Sequence, residues 1–448
     1  MNITAYARRR ATLLEKMHAL GGGVAIISTA PEVMRNADAD YPYRHDSYFY
    51  YLTGFPEPDA TVVLVAGQHG KNDQAFLFCR EKNEEREIWD GYRYGPAAAR
   101  EHFGFDAAFA SDQIDTDLPK LIANAPALFY ALGSSAELDA RMQGWLNTVR
   151  AQVRAGVTAP SAAFDVRTML NEMRLVKDKH ELDIMRRAAD ITSVAHARAM
   201  RTSKPGLREY HLEAELLHEF RRNGSQFPAY GSIVAAGPNA CVLHYRAGDT
   251  ELRDGDLVLI DAGCELDSYA SDITRTFPVN GKFSGPQKTL YELVLASQQA
   301  AIAATGPGRL FTDGHDAALN VLAQGMLDTG LLDKDKVGSL DDVIANGSYR
   351  QFYMHRTGHW LGMDVHDVGD YRDPSVSATE KPYRALVPGM VLTIEPGIYV
   401  RPAPGVPEAY WHIGIRIEDD AVITPDGCEI ITDKAPRTVA DIEAVMRG

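Results

Sequence analysis

Cysteine is scarce: four in 448 residues, at positions 79, 241, 264 and 428, no two of them close in sequence. That spacing excludes a disulfide framework and a cysteine zinc site, and it reads as free buried thiols in a reducing compartment. No stretch approaches the about 18 consecutive apolar residues that a membrane span requires. The opening MNITAYARRRATLLEKM has no apolar core and no small-residue cleavage site, so it is not a secretory signal. Its arginine cluster reads as part of an amphipathic first helix rather than an organelle-targeting peptide. Positive charge is in deficit: 46 Lys and Arg against 61 Asp and Glu leave a net charge of −15. Nucleic acid and anionic membrane surfaces are therefore disfavoured as main partners. Short-period repeats and low-complexity tracts are missing as well. What remains is a globular protein, expected in the cytoplasm.

Hydrophobic residues at 45% and charged residues at 24% suit two domains, each with its own core. In the first third, VAIIS (24–28), TVVLVA (61–66), AFLFC (75–79) and ALFYAL (127–132) read as buried strands. Segments 5–20 and 135–154 read as helices, which makes residues 1–170 a mixed α/β domain. AGVTAPSAAF (155–164) has linker character and places a boundary near 170. In 171–448, helical periodicity marks 175–200, 207–223, 287–304 and 313–330. Strand pairs are expected at 256–263 with 269–279 and at 389–400 with 411–424. The fold class is therefore α+β, its second domain an antiparallel or mixed sheet covered by helices on one side.

The carboxylates of this second domain fall in a pattern. Asp261 ends one apolar strand and Asp272 opens the next, so a hairpin would bring both to one sheet face. Asp272, Thr274 and Thr276 share a face by the two-residue strand period. In MVLTIEPGIYV, Leu392 and Ile394 alternate with Thr393 and Glu395; in WHIGIRIEDD, Gly414, Arg416 and Glu418 oppose Ile413, Ile415 and Ile417. Singly, each acid reads as a turn cap or a solvent-facing group. Together, four carboxylates on one face repel one another unless they are neutralised. Two divalent cations would balance them.

MHRTGHWLGMDVHD (354–367) adds three of the fourteen histidines. His355 and His359 stand four apart, the spacing of helical zinc proteases. Gly358 and Gly362 each disfavour a helix by about 1 kcal/mol, and that motif needs Glu after its first His, where Arg356 stands. One imidazole joining four carboxylates is the more economical arrangement, and spacing leaves open which histidine supplies it. So oxygen-rich a donor set favours manganese or cobalt over a thiolate-and-imidazole zinc site.

Five blocks carry a resemblance: GCELDSYASDITRTFPVNGKF, HWLGMDVHDVG, VPGMVLTIEPGIYV, GIRIEDD, and VLHY at 242–245. On these the chain resembles the creatinase/aminopeptidase or "pita-bread" family, peptidase family M24, and within it the aminopeptidase P branch. DYPYRHDSYFYYLTGFPEPDA resembles that branch's N-terminal domain, so the likeness spans nearly the whole chain. It implies a capping and oligomerisation domain over 1–170 and a catalytic domain with a curved, helix-backed sheet over 171–448. It implies two divalent metal ions, with manganese expected and cobalt or zinc possible. Asp261, Asp272, His359, Glu395 and Glu418 match the ligands, Asp272 and Glu418 bridging the ions. His244, His355 and His366 match histidines that contact substrate, and Arg416 a basic residue beside the ligands. Arg356 departs from the family, whose members often have Gly there.

The implied activity is removal of the N-terminal residue from peptides with proline second. A hydroxide bridging the ions would attack, Glu395 would carry the proton, and His244 with His366 would stabilise the tetrahedral intermediate. The Xaa-Pro dipeptidases share the ligands and are the nearest rival. Methionine aminopeptidases of bacteria generally lack so large an N-terminal domain, creatinases lack the five ligands, and binding or scaffold proteins on the fold usually lose them. A homodimer or homotetramer is expected. Trp89 in EIWDGYR either reaches a substrate site or fills a core or interface position.

Overall fold

A computed structural model of the chain describes residues 3–67, 72–377 and 379–448. It divides into two compact units, Met1–Asn171 and Glu172–Gly448.

The first unit is built on a six-stranded mixed sheet. Its strands are β1 (Val24–Ser28), β2 (Thr61–Val65), β3 (Gln74–Cys79), β4 (Ala107–Ala110), β5 (Ala127–Tyr130) and β6 (Ala162–Asp165), in the order β4-β3-β2-β1-β5-β6. β1 runs antiparallel to β2, with Ile26 opposite Val63, and parallel to β5. Both sheet faces are covered, so the strands are apolar runs rather than alternating ones. Val24, Ile26, Val63, Phe76 and Phe78 pack against Leu118, Met142 and Trp145. Helices α1 (Ile3–Ala19), α2 (Glu84–Asp90) and α3 (Ala136–Arg150) belong to this unit. The stretch expected as linker is not all free chain: its last three residues open β6, which leads into a helix, Val166–Leu175.

The second unit starts with α4 (Lys179–Thr202), closed at its N-terminus by a capping box of Asp178 and Glu181. Next come α5 (Glu209–Arg222), α6 (Gly285–Ala304) and α7 (Asp313–Asp328), and α6 packs along α7. The strands are β7 (Ile233–Ala236), β8 (Leu257–Asp261), β9 (Thr274–Pro278), β10 (Val391–Ile394), β11 (Gly397–Val400), β12 (Ile413–Arg416), β13 (Asp419–Thr424) and β14 (Gly427–Ile430). They form antiparallel ladders β7-β8-β9, β10-β13-β14 and β11-β12. Val258, Ile260, Phe277, Ile398, Ile415 and Ile417 share one core cluster with Leu290, Tyr291 and Val294 of α6. Each such side chain contributes about 1.5–3 kcal/mol on burial.

The α+β expectation holds, with two corrections of detail. The 262–273 connection is no simple turn, because Cys264–Leu266 pairs with both Tyr269–Ala270 and Phe227–Pro228. Strand 389–400 is also split, β10 pairing with β13 and β11 with β12. Pro396 stands at the split, and it has no N–H to give to a ladder.

Candidate metal centre

The split ladder positions the acids. Glu418 leaves the β12–β13 run and forms an isolated bridge to Thr274, its N–H donating to the Thr274 carbonyl at 3.0 Å. That bridge joins the β10–β13 ladder to β9, two residues from Asp272. Asp261 closes β8 opposite Thr274, and Glu395 directly follows β10.

His359 sits on an extended segment running beside β10. The Thr393 N–H donates to the His359 carbonyl at 2.9 Å and the Glu395 N–H to the Thr357 carbonyl at 2.7 Å. The helical pairing with His355 is therefore absent, and the two glycines have a steric reason. A Cβ on Gly358 would lie 2.0 Å from the Thr393 carbonyl oxygen, and one on Gly362 would lie 2.1 Å from Asp367 Oδ2. His359 Nδ1 faces the Trp360 carbonyl at 2.9 Å, so Nδ1 carries the proton and donates. Its Nε2 is turned to Asp272 Oδ2 at 3.5 Å and Glu395 Oε1 at 3.7 Å.

All nine side chains singled out in the sequence line one cavity of about 480 Å³. Among them Asp272, His359 and Glu418 offer ligand atoms within 4.8 Å of one another. Asp261 stands apart from that trio, accepting from Arg416 Nη2 at 2.6 Å and from the Tyr230 hydroxyl at 2.5 Å. The same hydroxyl oxygen also meets Asp272, so one phenolic proton is shared between the two acids. His244 and His366 are exposed at the cavity surface, and the His366 ring lies 4.1 Å from that of His359.

Two comparisons with family models decide the lineage. Residues 183–425 match "Metallopeptidase family M24" and residues 6–130 match "Aminopeptidase P, N-terminal domain". The chain belongs to metallopeptidase family M24. It is 44% identical to the Xaa-Pro aminopeptidase of Escherichia coli, over 98% of this chain and 97% of that one. The structure of Pseudomonas aeruginosa aminopeptidase PepP superposes with a TM-score of 0.95 at 48% identity, covering 100% of this chain and 98% of that chain. A zinc-substituted E. coli aminopeptidase P in complex with product gives 0.94 at 43%, with the same coverage.

The electrostatics of this M24 site call for a cation. Burial, then repulsion from Asp272, Glu395 and Asp261, pushes Glu418 well above the carboxylate range. Burial raises Glu395 to about 7 against the pull of His359 and Arg416. Asp272 rises too, chiefly through burial. Burial alone would depress His359, but Asp272 and Glu395 outweigh it and lift the imidazole to about 9. Acids this crowded, around an imidazole whose Nε2 faces them, fit a divalent metal ion in chemistry and in placement.

A second layer of the M24 site escapes sequence reasoning in part. Arg416 donates to Tyr399 Oη at 2.9 Å and to Thr274 Oγ1 at 3.1 Å. His355 Nδ1 meets the Arg356 carbonyl at 2.7 Å, so its Nε2 accepts from the Tyr399 hydroxyl at 2.9 Å. Burial, then Arg416, lowers His355 to about 4 and keeps it neutral. Asp420 accepts the Asp272 N–H at 3.1 Å. Tyr399 and Asp420 have the strand parity of Glu395 and Glu418, a signal that finds them; Tyr230 precedes β7 and follows no period. Trp89 fills no core: it is 83% exposed on α2, a helix with no buried residue.

Proposed function

We propose that the chain is an Xaa-Pro aminopeptidase, removing the N-terminal residue from peptides whose second residue is proline. The observation that carries this reading is the convergence of four carboxylates and an imidazole on one cavity, in a chain whose relatives bear that name over nearly its full length. Asp261, Asp272, His359, Glu395 and Glu418 would hold two divalent ions, with Asp272, His359 and Glu418 the closest-set of the five. Manganese is the expected metal, with cobalt or zinc able to replace it. Bound there, divalent ions supply Lewis-acid activation of water and of the scissile carbonyl.

The chain's own groups do the rest. A bond to proline lacks an N–H, so recognition has to come from elsewhere along the peptide. Glu395 takes the proton from the attacking water and returns it to the proline nitrogen. His244 and His366 donate to the oxygen on which negative charge develops. His355, held neutral between Tyr399 and the Arg356 carbonyl, orients the substrate beside Glu395. Arg416 fixes Asp261 and Tyr399 in one guanidinium plane.

Residues 1–170 are assigned as a capping and oligomerisation domain and 171–448 as the catalytic domain. A homodimer or homotetramer is supported by Ile88, Trp89 and Tyr92, which lie 80%, 83% and 65% exposed in and just after α2. No helix among the described residues is long and apolar enough to cross a membrane. Four free cysteines support a reducing, cytoplasmic setting.

The test is turnover of an Xaa-Pro-Xaa peptide and of an Xaa-Pro dipeptide after chelation and re-addition of manganese, cobalt or zinc. Release of the first amino acid from the longer peptide is expected with at least one metal. Cleavage of the dipeptide alone would make the chain a dipeptidase, and cleavage of neither would end the reading.

A further inference from the structure

Glu209, first residue of α5, is fully buried and has no cationic partner among the described residues. Its carboxylate is instead saturated by four donors. Oε1 accepts from the Ala236 N–H at 2.8 Å and Asn239 Nδ2 at 2.9 Å; Oε2 accepts from the Tyr245 hydroxyl at 2.9 Å and the Gly248 N–H at 3.0 Å. A buried carboxylate without a counter-charge is costly, and here its donors all come from one short stretch, residues 236–248.

That stretch leaves β7, turns through Gly237–Cys241 and carries His244. The His244 imidazole is exposed in the metal-site cavity and makes no hydrogen bond or ion pair with a described residue. Its placement therefore depends on the backbone on either side of it. Backbone bonds add to the tie: the Glu209 N–H donates to the Thr250 carbonyl at 3.1 Å and the Tyr210 N–H to the Gly248 carbonyl at 3.2 Å. Asn239 Nδ2 also reaches the Tyr245 oxygen at 3.0 Å, closing the loop across its own base.

We propose that Glu209 is a positioning residue for the reaction: its carboxylate gathers both ends of the 236–248 loop and so aims His244 into the metal-site cavity. The inference rests on the role given to His244 above. Glutamine at 209 would keep the shape but replace one acceptor by an NH₂ group. Whichever way the amide turned, that group would face a backbone N–H, of Ala236 or of Gly248, which cannot accept from it.

The experiment is a double-mutant cycle on the full-length, manganese-loaded chain with an Xaa-Pro-Xaa peptide, following kcat and KM separately. H244A is expected to lower kcat with little change in KM. E209Q is expected to do the same by about ten- to a hundredfold, as a misplaced catalytic group does. E209Q/H244A is expected to equal H244A, because Glu209 has nothing left to aim. Y245F, which removes one donor and leaves Glu209 in place, is expected to show a smaller loss that also vanishes in the H244A background, and it carries the test if E209Q does not fold. Equal losses from E209Q or Y245F with and without His244 would overturn the inference and leave Glu209 a plain structural staple. Wild-type turnover by E209Q would overturn it too. Wild-type turnover by H244A would instead refute the role of His244, a separate failure.

Discussion

Thr274 and Glu418 are joined twice. The Glu418 N–H donates to the Thr274 carbonyl at 3.0 Å, and the Thr274 hydroxyl donates to Glu418 Oε2 at 2.6 Å. The same hydroxyl oxygen accepts from Arg416 Nε at 3.1 Å. A single buried oxygen thus orients an acid of the metal site and the arginine beside it.

Thr274→Val keeps the shape and removes that oxygen. Two buried partners are left unsatisfied, each costing about 1–3 kcal/mol. Metal affinity is expected to fall by about ten- to a hundredfold, the effect of losing an outer hydrogen bond to a ligand. Metal content after dialysis against defined free manganese, read with the denaturant midpoint, checks both. Unchanged metal retention would show that Thr274 does not orient Glu418.

Gly358→Ala sets a methyl 2.0 Å from the Thr393 carbonyl oxygen, part of the backbone that carries Glu395. Overpacking of this kind costs about 1–3 kcal/mol or more. Gly285→Ala, in the first turn of α6 with open space around its would-be Cβ, is expected to stay within about 0.5 kcal/mol of the parent. Urea midpoints of the two variants give the comparison, and equal midpoints would refute the close approach.

How far the site could be read in advance follows from which residues obey a period. Glu395 and Glu418 do, because their neighbours Leu392, Ile394, Ile415 and Ile417 alternate with them into the core. Gly358, Gly362 and Arg356 were enough to reject a zinc helix, and the structure supplies the contacts behind the glycines. Tyr230 was out of reach, since a loop with no repeat delivers it. The split at Pro396 was visible in principle, as a missing N–H, but its consequence was not: only the three-dimensional ladder shows Glu418 leaving β12 for Thr274. The domain-forming strands of the first unit were legible because both sheet faces are buried and the runs are almost wholly apolar.

The contributions of Glu395 and His359 to stability without metal are expected to fall as pH rises from about 5 to about 9. Buried histidines such as His355, lowered to about 4, act against them, their contribution rising with pH up to about 6.5. Glu395 keeps its proton to about 7 in the folded chain against an ordinary 4.5, so the folded state binds more protons between those values and gains stability as pH falls through them. His359, raised from 6.5 to about 9, acts in the same direction: its contribution is complete below 6.5 and is lost as pH rises through about 9. Metal binding displaces these protons, so its stabilisation should grow with pH. Melting temperatures with EDTA and with manganese across this range test the sign, and with EDTA the stability of the parent relative to Glu395→Gln should fall as pH rises from about 5 to about 7. A curve as steep in that variant as in the parent would contradict the assignment.

Arg275 lies fully buried behind the site, paired with Asp419 at 2.7 Å and donating to the carbonyls of Thr274, Glu418, Ala435 and Pro436. Asp419 is also fully buried, and it accepts from Gln298 at 2.9 Å, from Thr432 at 2.7 Å and from a second, part-exposed arginine, Arg437, at 3.2 Å. Taking one partner from a buried pair costs about 3–5 kcal/mol where the other charge is left alone, and without Arg275 the buried Asp419 keeps only the longer, part-exposed pair to Arg437. Arg275→Met is expected to cost that much, and Arg275→Lys to recover only part, since three donors on a flexible stem cannot replace a five-donor plane. Arg275→Met with Asp419→Leu removes the stranded charge as well, so the double variant should be more stable than the sum of the single losses predicts. Urea midpoints of the parent, Arg275→Met, Asp419→Leu and the double variant decide it. Strict additivity would mean that Arg437, Gln298 and Thr432, and not Arg275, hold Asp419 in place.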